Sequence, residues 1–156
     1  MAAQHTEILF RFYSDTFEQE MTEVLWAVET DKAQEFYRID SLPFYVPMIA
    51  SDDVVQAVYD PEEEHLVYQK TVTFSGNSII HVVLADDAPD IEEIRQSFME
   101  YGCVSEKMND YFFAMEVPAA ADYKPIKQRL DELEEQELIE YAEPSLSERH
   151  REQTEG

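Results

Sequence analysis

The sequence predicts an α+β protein, in which an N-terminal strand-rich small barrel or meander is joined to a C-terminal ferredoxin-like β-α-β-β-α-β unit. Three observations predict this class. Apolar and polar residues alternate with a period of two in much of residues 1–74, which is typical of strands. Two later stretches repeat apolar residues every three or four positions, as amphipathic helices do. Runs rich in β-branched and aromatic residues flank both stretches, which completes the β-α-β-β-α-β order.

Five runs in the first half have the composition of strands. β-branched and aromatic residues dominate each run and fit the pleated surface of a sheet. A turn begins at Asp60 and Pro61, so the fourth and fifth runs are predicted to pair as a hairpin. In chain order, the runs are Thr6–Ser14, Glu23–Thr30, Glu35–Val46, Asp53–Asp60 and His65–Phe74.

The second half opens with Ser78–Ala85, a run so apolar that it predicts a central strand. A helix is predicted over Asp87–Gly102, because apolar residues recur at helical spacing and glycine favours the C-terminal end of a helix. A second helix is predicted over Tyr123–Gln136. We expect both helices to pack on one face of a sheet in which Ser78–Ala85 and Tyr111–Val117 are central neighbours. The remaining predicted strands are 103–109, Tyr111–Pro118 and Glu137–Pro144.

The domain organisation predicted from these elements has two subdomains and a tail. Residues 1–74 form the strand-rich subdomain and residues 75–144 the ferredoxin-like subdomain. No linker composition separates them. Residues 145–156 are polar and predict a solvated tail.

Negative charge is the most unusual property of the sequence. There are 35 acidic residues and 11 basic residues, which gives a formal net charge of −24. Such a surface repels nucleic acid and anionic membranes and attracts cations and basic proteins. We therefore expect no nucleic-acid or membrane partner. Charge kept only for solubility remains the alternative.

The acids are densest in Leu130–Glu143, which holds seven carboxylates in fourteen positions and no Lys or Arg. On the predicted helix the apolar residues Ile126, Leu130 and Leu133 face the sheet, so the acids point outward. Lys127 is placed to pair with Asp131 at i+4. We predict a partner-binding surface with a preference for basic proteins, formed by Asp131, Glu132, Glu134 and Glu135.

A second predicted contact is the segment Ser41–Ala50, which carries Phe44 and Tyr45 between Pro43 and Pro47. The prolines favour a stiff, extended connection over a paired strand. If Phe44 and Tyr45 are exposed, they offer an apolar anchor for a partner. The alternative is that the segment closes one end of the strand-rich subdomain.

Catalytic and cofactor signatures are lacking in this sequence. Its three glycines exclude a glycine-rich phosphate loop, and its single cysteine, Cys103, excludes an internal disulfide. The four histidines lack metal-ligand spacing, and His81 fits a buried or half-buried structural role. We therefore predict no enzyme activity, no catalytic residue, no metal and no cofactor. The N-terminus lacks a signal-peptide pattern and no run is long enough to span a membrane, which favours the cytoplasm.

Two stretches of the sequence resemble a known family. "YRIDSLPFYVPMIASDDVVQAVYD" followed by "LVYQKTVTFSGNSIIHVVL" is similar to the bacterial family called Domain of Unknown Function 4265, over about residues 25–145. Relatives often carry His where Asn77 stands here, and a glycine-containing loop where this chain has Pro47–Ser51. The resemblance implies a similar layout of strands and no known activity, so no catalytic residue is carried over.

The favoured functional hypothesis is an acidic cytoplasmic binding protein, specifically an immunity protein that neutralises a toxin domain with a basic surface. Small size, acidic surface and the lack of catalytic motifs all favour this class. The alternative is a regulatory module that binds a small ligand between the two subdomains. The sequence leaves the oligomeric state open.

Overall fold

A computed structural model of the protein describes residues 5–15 and 17–155. The expectation that the N-terminus is not a signal peptide rests partly on residues 1–4, which lie outside the described residues, as do Thr16 and Gly156. The described part is strand-rich and of mixed α+β class, with nine strands and three helices, which confirms the predicted class at this level. The chain divides into two compact units, residues 1–75 and 76–156.

The first unit is a single sheet of five strands. Neighbouring strands pair antiparallel in chain order, and the first and last strands pair in parallel, so the sheet closes on itself. The strands are β1 His5–Ser14, β2 Gln19–Asp31, β3 Phe36–Ile39, β4 Val54–Asp60 and β5 His65–Thr73.

Alternation along these strands places one set of side chains inside the closed sheet. Ile8 and Phe10 of β1 are almost fully buried, and the Phe10 ring stacks on the Tyr68 ring with centroids 4.8 Å apart. Burial of such side chains is the main contribution to stability in a unit of this size. The cluster consists of Ile8, Phe10, Leu25, Ala27, Tyr37, Ile39, Val46, Ile49, Val55 and Ala57.

The third predicted strand is much shorter than expected. Our sequence prediction ran from Glu35 to Val46, but β3 ends at Ile39. Pro43 has no N–H to donate to a neighbouring strand, and it restricts the residue before it. The segment 40–53 therefore leaves the sheet and returns at β4.

Asp53 stabilises the point at which the chain re-enters the sheet at β4. Its side chain is 1% exposed and accepts hydrogen bonds from the backbone N–H groups of Ala50, at 2.9 Å, and Ser75, at 2.8 Å. Burial raises the pKa of Asp53, although the two N–H donors act in the opposite direction. The carboxylate thus links the start of β4 and the segment just after β5 to the loop at Ala50.

The second unit is a four-stranded sheet with helices. Its strand order is β7-β8-β6-β9 and all three pairings are antiparallel. The prediction that β6 and β8 are central neighbours is confirmed. The elements are β6 Ser78–Leu84, α1 Ile91–Met99, β7 Val104–Asn109, β8 Phe112–Val117, α2 Tyr123–Glu135, β9 Ile139–Ser145 and α3 Glu148–Glu155.

Helices α1 and α2 cover the same face of this sheet, as predicted. Val82 of β6 lies opposite Phe113 of β8, and residues of that face share one buried cluster with residues of both helices. The cluster consists of Ile80, Val82, Leu84, Ile91, Ile94, Phe98, Cys103, Phe113, Met115, Val117, Tyr123, Ile126, Leu130, Leu133 and Ile139.

Aspartates begin α1 and α2. Asp90 accepts a hydrogen bond from the N–H of Glu92 at 2.8 Å, and Asp122 accepts one from the N–H of Lys124 at 3.0 Å. Each satisfies a backbone donor that the first turn leaves unpaired. Gly102 follows α1 with a φ of +91°, a conformation that glycine adopts without strain. Helix α1 is shorter than the predicted Asp87–Gly102 because these flanking residues form its cap and its exit.

The C-terminal segment corrects the prediction of a solvated tail over residues 145–156. Residues 145 and 148–155 are in β9 and α3, and the side chain of His150 is fully buried. A polar sequence without an apolar stripe does not reveal such a helix, because α3 is held by hydrogen bonds of His150 and Gln153 and not by an apolar face. Gly156 lies outside the described residues.

Among the described residues, six other than glycine adopt a positive φ, a region in which a side chain crowds the backbone. Four are glutamates in turns: Glu18, Glu35, Glu64 and Glu137. The other two are Met48 and Asp52. With three glycines in the whole chain, acidic residues occupy turn positions at which glycine is usual.

Candidate functional site: an acidic surface beside helix α2

The carboxylates of Leu130–Glu143 fall into two groups in the structure. Asp131 and Glu143 are held inside the second unit by hydrogen bonds from other side chains, and their exposure is intermediate. Glu132, Glu134, Glu135, Glu137 and Glu140 are exposed. The charges of the second group are therefore open to solvent.

The internal group belongs to a network that joins α2 to β9. Tyr123 donates its hydroxyl hydrogen to Glu143 at 2.6 Å, and Lys127 donates to the same Glu143 oxygen at 3.1 Å. Lys127 also donates to the Tyr141 hydroxyl at 3.2 Å, and Tyr141 in turn donates to Asp131. The spacing of four residues between Tyr123, Lys127 and Asp131 places all three on the flank of α2 that faces β9.

This network corrects one predicted site residue. We predicted that Asp131 points outward and pairs with Lys127. Its carboxylate instead accepts a hydrogen bond from Tyr141, and Lys127 contacts Glu143. Hydrogen-bond donors on β9 lie four or more positions beyond the helix in the chain, so spacing along the helix alone does not reveal them.

The protonation properties of the network indicate a structural role. Burial, followed by the hydrogen bond to Glu143, raises the pKa of Tyr123 above its ordinary value. Burial and the hydrogen bond to Asp131 raise the pKa of Tyr141 to about 12. Burial alone would lower the pKa of Lys127, but its bonds to Tyr141 and Glu143 outweigh that effect and raise it. Both tyrosines therefore stay neutral and Lys127 stays charged at neutral pH, which preserves the hydrogen bonds between α2 and β9.

The exposed group has few internal partners. Glu132 lies 3.8 Å from Arg129, a pair whose carboxylate side is 62% exposed. Among the described residues, none of the ion pairs involves Glu134, Glu135, Glu137 or Glu140. Their charges are therefore balanced by solvent ions and not by neighbouring cations.

An open groove of about 660 Å³ lies between these glutamates. Val83 of β6, with 47% of its surface exposed, contributes to its apolar part. Three carboxylates line it, from α2, from the connection after α2, and from β9. We call it the acidic groove, and its lining residues are Val83, Leu84, Ala85, Glu134, Glu137, Ile139, Glu140 and Tyr141.

Glu137 forms the corner of the acidic groove. Helix α2 ends as Gln136 donates its N–H to the Glu132 carbonyl at 3.1 Å and Leu138 donates to the Leu133 carbonyl at 3.0 Å. Between them Glu137 adopts a φ of +60°. Helices often end with this left-handed residue, which is usually glycine. Glu137 thus redirects the chain from α2 into β9.

Phe44 and Tyr45, the other predicted contact residues, lie in the first unit. The carboxylate of Glu23 accepts three backbone hydrogen bonds there: from Phe44 at 2.8 Å, from Tyr45 at 3.1 Å and from Val46 at 2.8 Å. Phe44 is half-buried and Tyr45 is 38% exposed, whereas Val46 packs into the core. The segment therefore covers the core of the first unit and exposes only part of its aromatic surface.

Sequence reasoning missed the buried pair Ser78 and His150. Ser78 Oγ lies 2.6 Å from His150 Nδ1, and His150 Nε2 lies 3.1 Å from the carbonyl oxygen of Pro118. Seventy-two positions separate the pair, and no short motif carries it. Both side chains are fully buried, so a substrate has no access to the serine.

Cys103 and His81 both have structural positions, and for His81 the sequence predicts this. Cys103 is 5% exposed within the core of the second unit, and burial raises the pKa of its thiol to about 12. Such a thiol is unreactive at neutral pH. His81 is half-buried and its ring meets the Phe112 ring edge-on, with centroids 5.4 Å apart.

A second cavity, of about 340 Å³, lies beside the start of α1. Asp86, Asp90, Glu92 and Asp110 line it together with Lys107, whose Nζ is 3.8 Å from Glu92 and 3.6 Å from Asp110. Within residues 5–15 and 17–155, no three His, Cys, Asp or Glu side chains are arranged to hold a metal ion. Nor does any helix of the described chain combine the length and apolarity needed to cross a membrane.

Comparison with known proteins identifies a family but no activity. A family model described as "Domain of unknown function (DUF4265)" matches residues 23–141, which confirms the resemblance seen in the sequence. No curated protein matches the sequence. The fold is similar to a hypothetical protein from Neisseria gonorrhoeae of known crystal structure, with a TM-score of 0.81 and 19% identity over 94% of this chain and 99% of that one.

Proposed function

This chain belongs to the DUF4265 family, and we propose that it is a binding protein whose acidic groove docks a partner protein with a basic surface. The proposal rests above all on one observation. The groove joins exposed apolar surface, from Val83, to three carboxylates that have no ion-pair partner among the described residues.

The groove offers both of the contributions that protein docking needs. Val83 supplies apolar area, which stabilises a complex once water is displaced. Glu134, Glu137 and Glu140 surround that area with negative charge. A lysine or arginine beside an apolar side chain on the partner would complement both.

The charge of the whole protein supports fast association with such a partner. A net charge of −24 creates a long-range field that steers basic proteins and repels acidic ones. Glu132 and Glu135 extend the negative surface beyond the groove along α2. Partner choice would follow from this field, and residence time from the apolar contact.

We propose further that the partner is a toxin domain, so that the protein acts as an immunity protein. Toxin domains that act on nucleic acid carry basic surfaces, because their substrates are polyanions. An acidic groove competes with such a substrate for the same surface. The alternative of a small bound ligand remains a prediction from the sequence.

A finer fold assignment accompanies the functional proposal. We assign the first unit to the small closed barrels and the second to the ferredoxin-like class. The closed strand order β1 to β5 supports the first assignment. The order β7-β8-β6-β9 with two helices on one face supports the second.

Charge reversal tests the groove. The variant Glu134→Lys, Glu137→Lys, Glu140→Lys should lower the association rate constant for a basic partner by at least tenfold, because it replaces attraction by repulsion at the contact. The measurement is surface plasmon resonance on a partner recovered from the native host at low salt. Asp131 is left unchanged, since its substitution would disturb the Tyr141 hydrogen bond.

A matched control reverses Glu7, Glu29 and Glu62, three exposed glutamates of the first unit. Both triple variants have the same net charge, so a general charge effect lowers both rates equally. The groove proposal requires the association rate constant to fall much more in the groove variant than in the control variant. Equal rates for the two variants would overturn it.

The immunity role needs a separate experiment. A toxin domain encoded next to this gene is expressed in a bacterium with and without the protein. Growth should be restored by the wild type and by the control triple variant, but not by the groove variant. A neighbouring toxin whose effect persists despite the wild-type protein would contradict the immunity role and leave the groove measurement unaffected.

A further inference from the structure

Helix α3 is attached to the second unit mainly by polar contacts. It is eight residues long and His150 is its one buried residue. Isolated helices of this length do not persist in water, so α3 is helical only while it is docked. Gln153 makes a second attachment, where its Oε1 accepts the N–H of Tyr123 at 2.9 Å.

One neutral form of the His150 ring satisfies all of its hydrogen bonds. The Pro118 carbonyl can only accept, so Nε2 carries the hydrogen that it donates over 3.1 Å. Nδ1 then has no hydrogen and accepts from the Ser78 hydroxyl over 2.6 Å. The same hydroxyl oxygen accepts the N–H of Ser147 at 2.8 Å, which occupies one of its two acceptor positions.

A second proton does not fit this arrangement. Protonated Nδ1 would point its hydrogen at the hydrogen of the Ser78 hydroxyl, which would have to rotate and lose its acceptor. The charge would also be fully buried, because His150 is 0% exposed. Protonation is therefore more favourable with α3 in water than with α3 docked.

From this geometry we propose that α3 is a pH-operated latch, in which the neutral His150 ring holds the helix on β6 and α2 and its protonation releases the helix. Release would uncover the Tyr123 ring, whose centroid lies 5.7 Å from that of His150. It would also expose the end of β6 at Ser78.

The groups around His150 determine the direction of the response. Burial lowers the pKa of His150, and Arg149 on α3 acts in the same direction. Asp122 at the start of α2, and the backbone groups of Ala121 and Pro118, act in the opposite direction without overcoming burial. Tyr123 is the neighbour from α2 and Ser78 the neighbour from β6, and both are uncharged at neutral pH.

Comparison of the docked and released states shows how the docking equilibrium of α3 changes with pH. The released histidine has a pKa of about 6.5 and the docked one a lower value. Above pH 6.5 both are neutral and the latch is at full strength. Below it the released state gains a proton first, so the docking equilibrium constant falls by about tenfold for each pH unit, down to the docked pKa.

Hydrogen exchange of the whole protein tests the latch. Protection factors of residues 148–155, corrected for intrinsic exchange with a peptide of the same sequence, should be constant from pH 8 to 6.5. They should fall by about tenfold per unit below that. Amides of β6 and β8 should keep their protection. Constant protection of α3 down to pH 5, or parallel loss in β6, would overturn the proposal.

Two variants separate titration from attachment. His150→Gln keeps a donor and an acceptor but does not titrate, so the pH slope should disappear. Gln153→Ala removes the other attachment, so protection should fall equally at every pH and the slope should remain. A slope that persists in His150→Gln would overturn the proposal.

If His150→Gln fails to dock at pH 7.5, the pKa of His150 in the wild type is measured by NMR. A value below 6.5 supports the latch and a value of 6.5 or above overturns it.

Discussion

Tyr123 of α2 donates its hydroxyl hydrogen to Glu143 of β9 across 2.6 Å. Tyr123 is fully buried, whereas the Glu143 side chain keeps 25% of its surface exposed. A buried hydroxyl needs a partner, and a charged acceptor makes the bond stronger than a neutral one. The pair thereby fixes the start of α2 to the far end of β9.

Removing this hydroxyl should lower stability. We expect Tyr123→Phe to reduce the free energy of unfolding by about 1.5 kcal/mol, because a buried hydrogen bond to a charged group is lost while the ring is kept. Glu143 retains Lys127 at 3.1 Å, which limits the loss. Urea denaturation followed by circular dichroism measures the change. An unchanged midpoint would show that the bond contributes nothing net.

The protein should lose stability at alkaline pH through Tyr141. Its pKa is raised to about 12 in the folded state, from 10.0. The unfolded tyrosine therefore ionises first, so this contribution is complete below pH 10 and is lost between pH 10 and 12. The stability of wild type and Tyr141→Phe is compared across this range. We expect the wild type to decline more steeply, and equal slopes would contradict the assignment.

The two groups of carboxylates should respond differently to neutralisation. Asp131→Ala removes the acceptor of the Tyr141 hydroxyl and should lower the free energy of unfolding by about 1 kcal/mol. Glu135→Ala, in the exposed group on the same helix, should leave it within about 0.5 kcal/mol, or raise it by relieving repulsion. Thermal and urea unfolding of both variants provide the comparison. Similar losses would mean that the network does not distinguish the two carboxylates.

Glycine at position 137 should stabilise the chain. The φ of +60° at Glu137 strains a residue with a side chain by about 1–2 kcal/mol, and the extra freedom of glycine when unfolded offsets part of that. We expect Glu137→Gly to raise the free energy of unfolding by about 0.5–1 kcal/mol. Glu137→Ala is the control, since it removes the same charge and keeps the strain. If both variants gain equally, relief of charge repulsion and not backbone strain is responsible.

Binding through the acidic groove should be sensitive to salt. The screening length falls from about 10 Å at 0.1 M to about 3 Å at 1 M, so the association rate of the wild type should drop steeply over that range. The dissociation rate should change less, because the apolar contact at Val83 is not screened. Kinetics of one partner at five salt concentrations provide the test. A flat association rate would indicate that the exposed glutamates serve solubility.

Periodicity alone was sufficient to predict much of the second unit. The stripe Ile126, Leu130 and Leu133 faces the core as predicted, because helical spacing and burial are linked within a single element. The apolar run Ser78–Ala85 likewise became a central strand. The first unit was predicted less well, because β3 ends at Ile39. The rest of the expected strand is a loop, whose backbone N–H groups are bound by the carboxylates of Glu23 and Asp53.

The sequence by itself determined the α+β class, the family, the two amphipathic helices and the negative charge, because each depends on composition or on spacing within one element. Tertiary structure alone decided which carboxylates are bound internally and which line the acidic groove. Asp131 accepts a hydrogen bond from Tyr141 of β9, whereas Glu134 and Glu140 line the groove. It also decided that His150 is buried against Ser78, 72 residues away. A hydrogen bond between distant elements depends on where the chain returns, and no local pattern encodes that position.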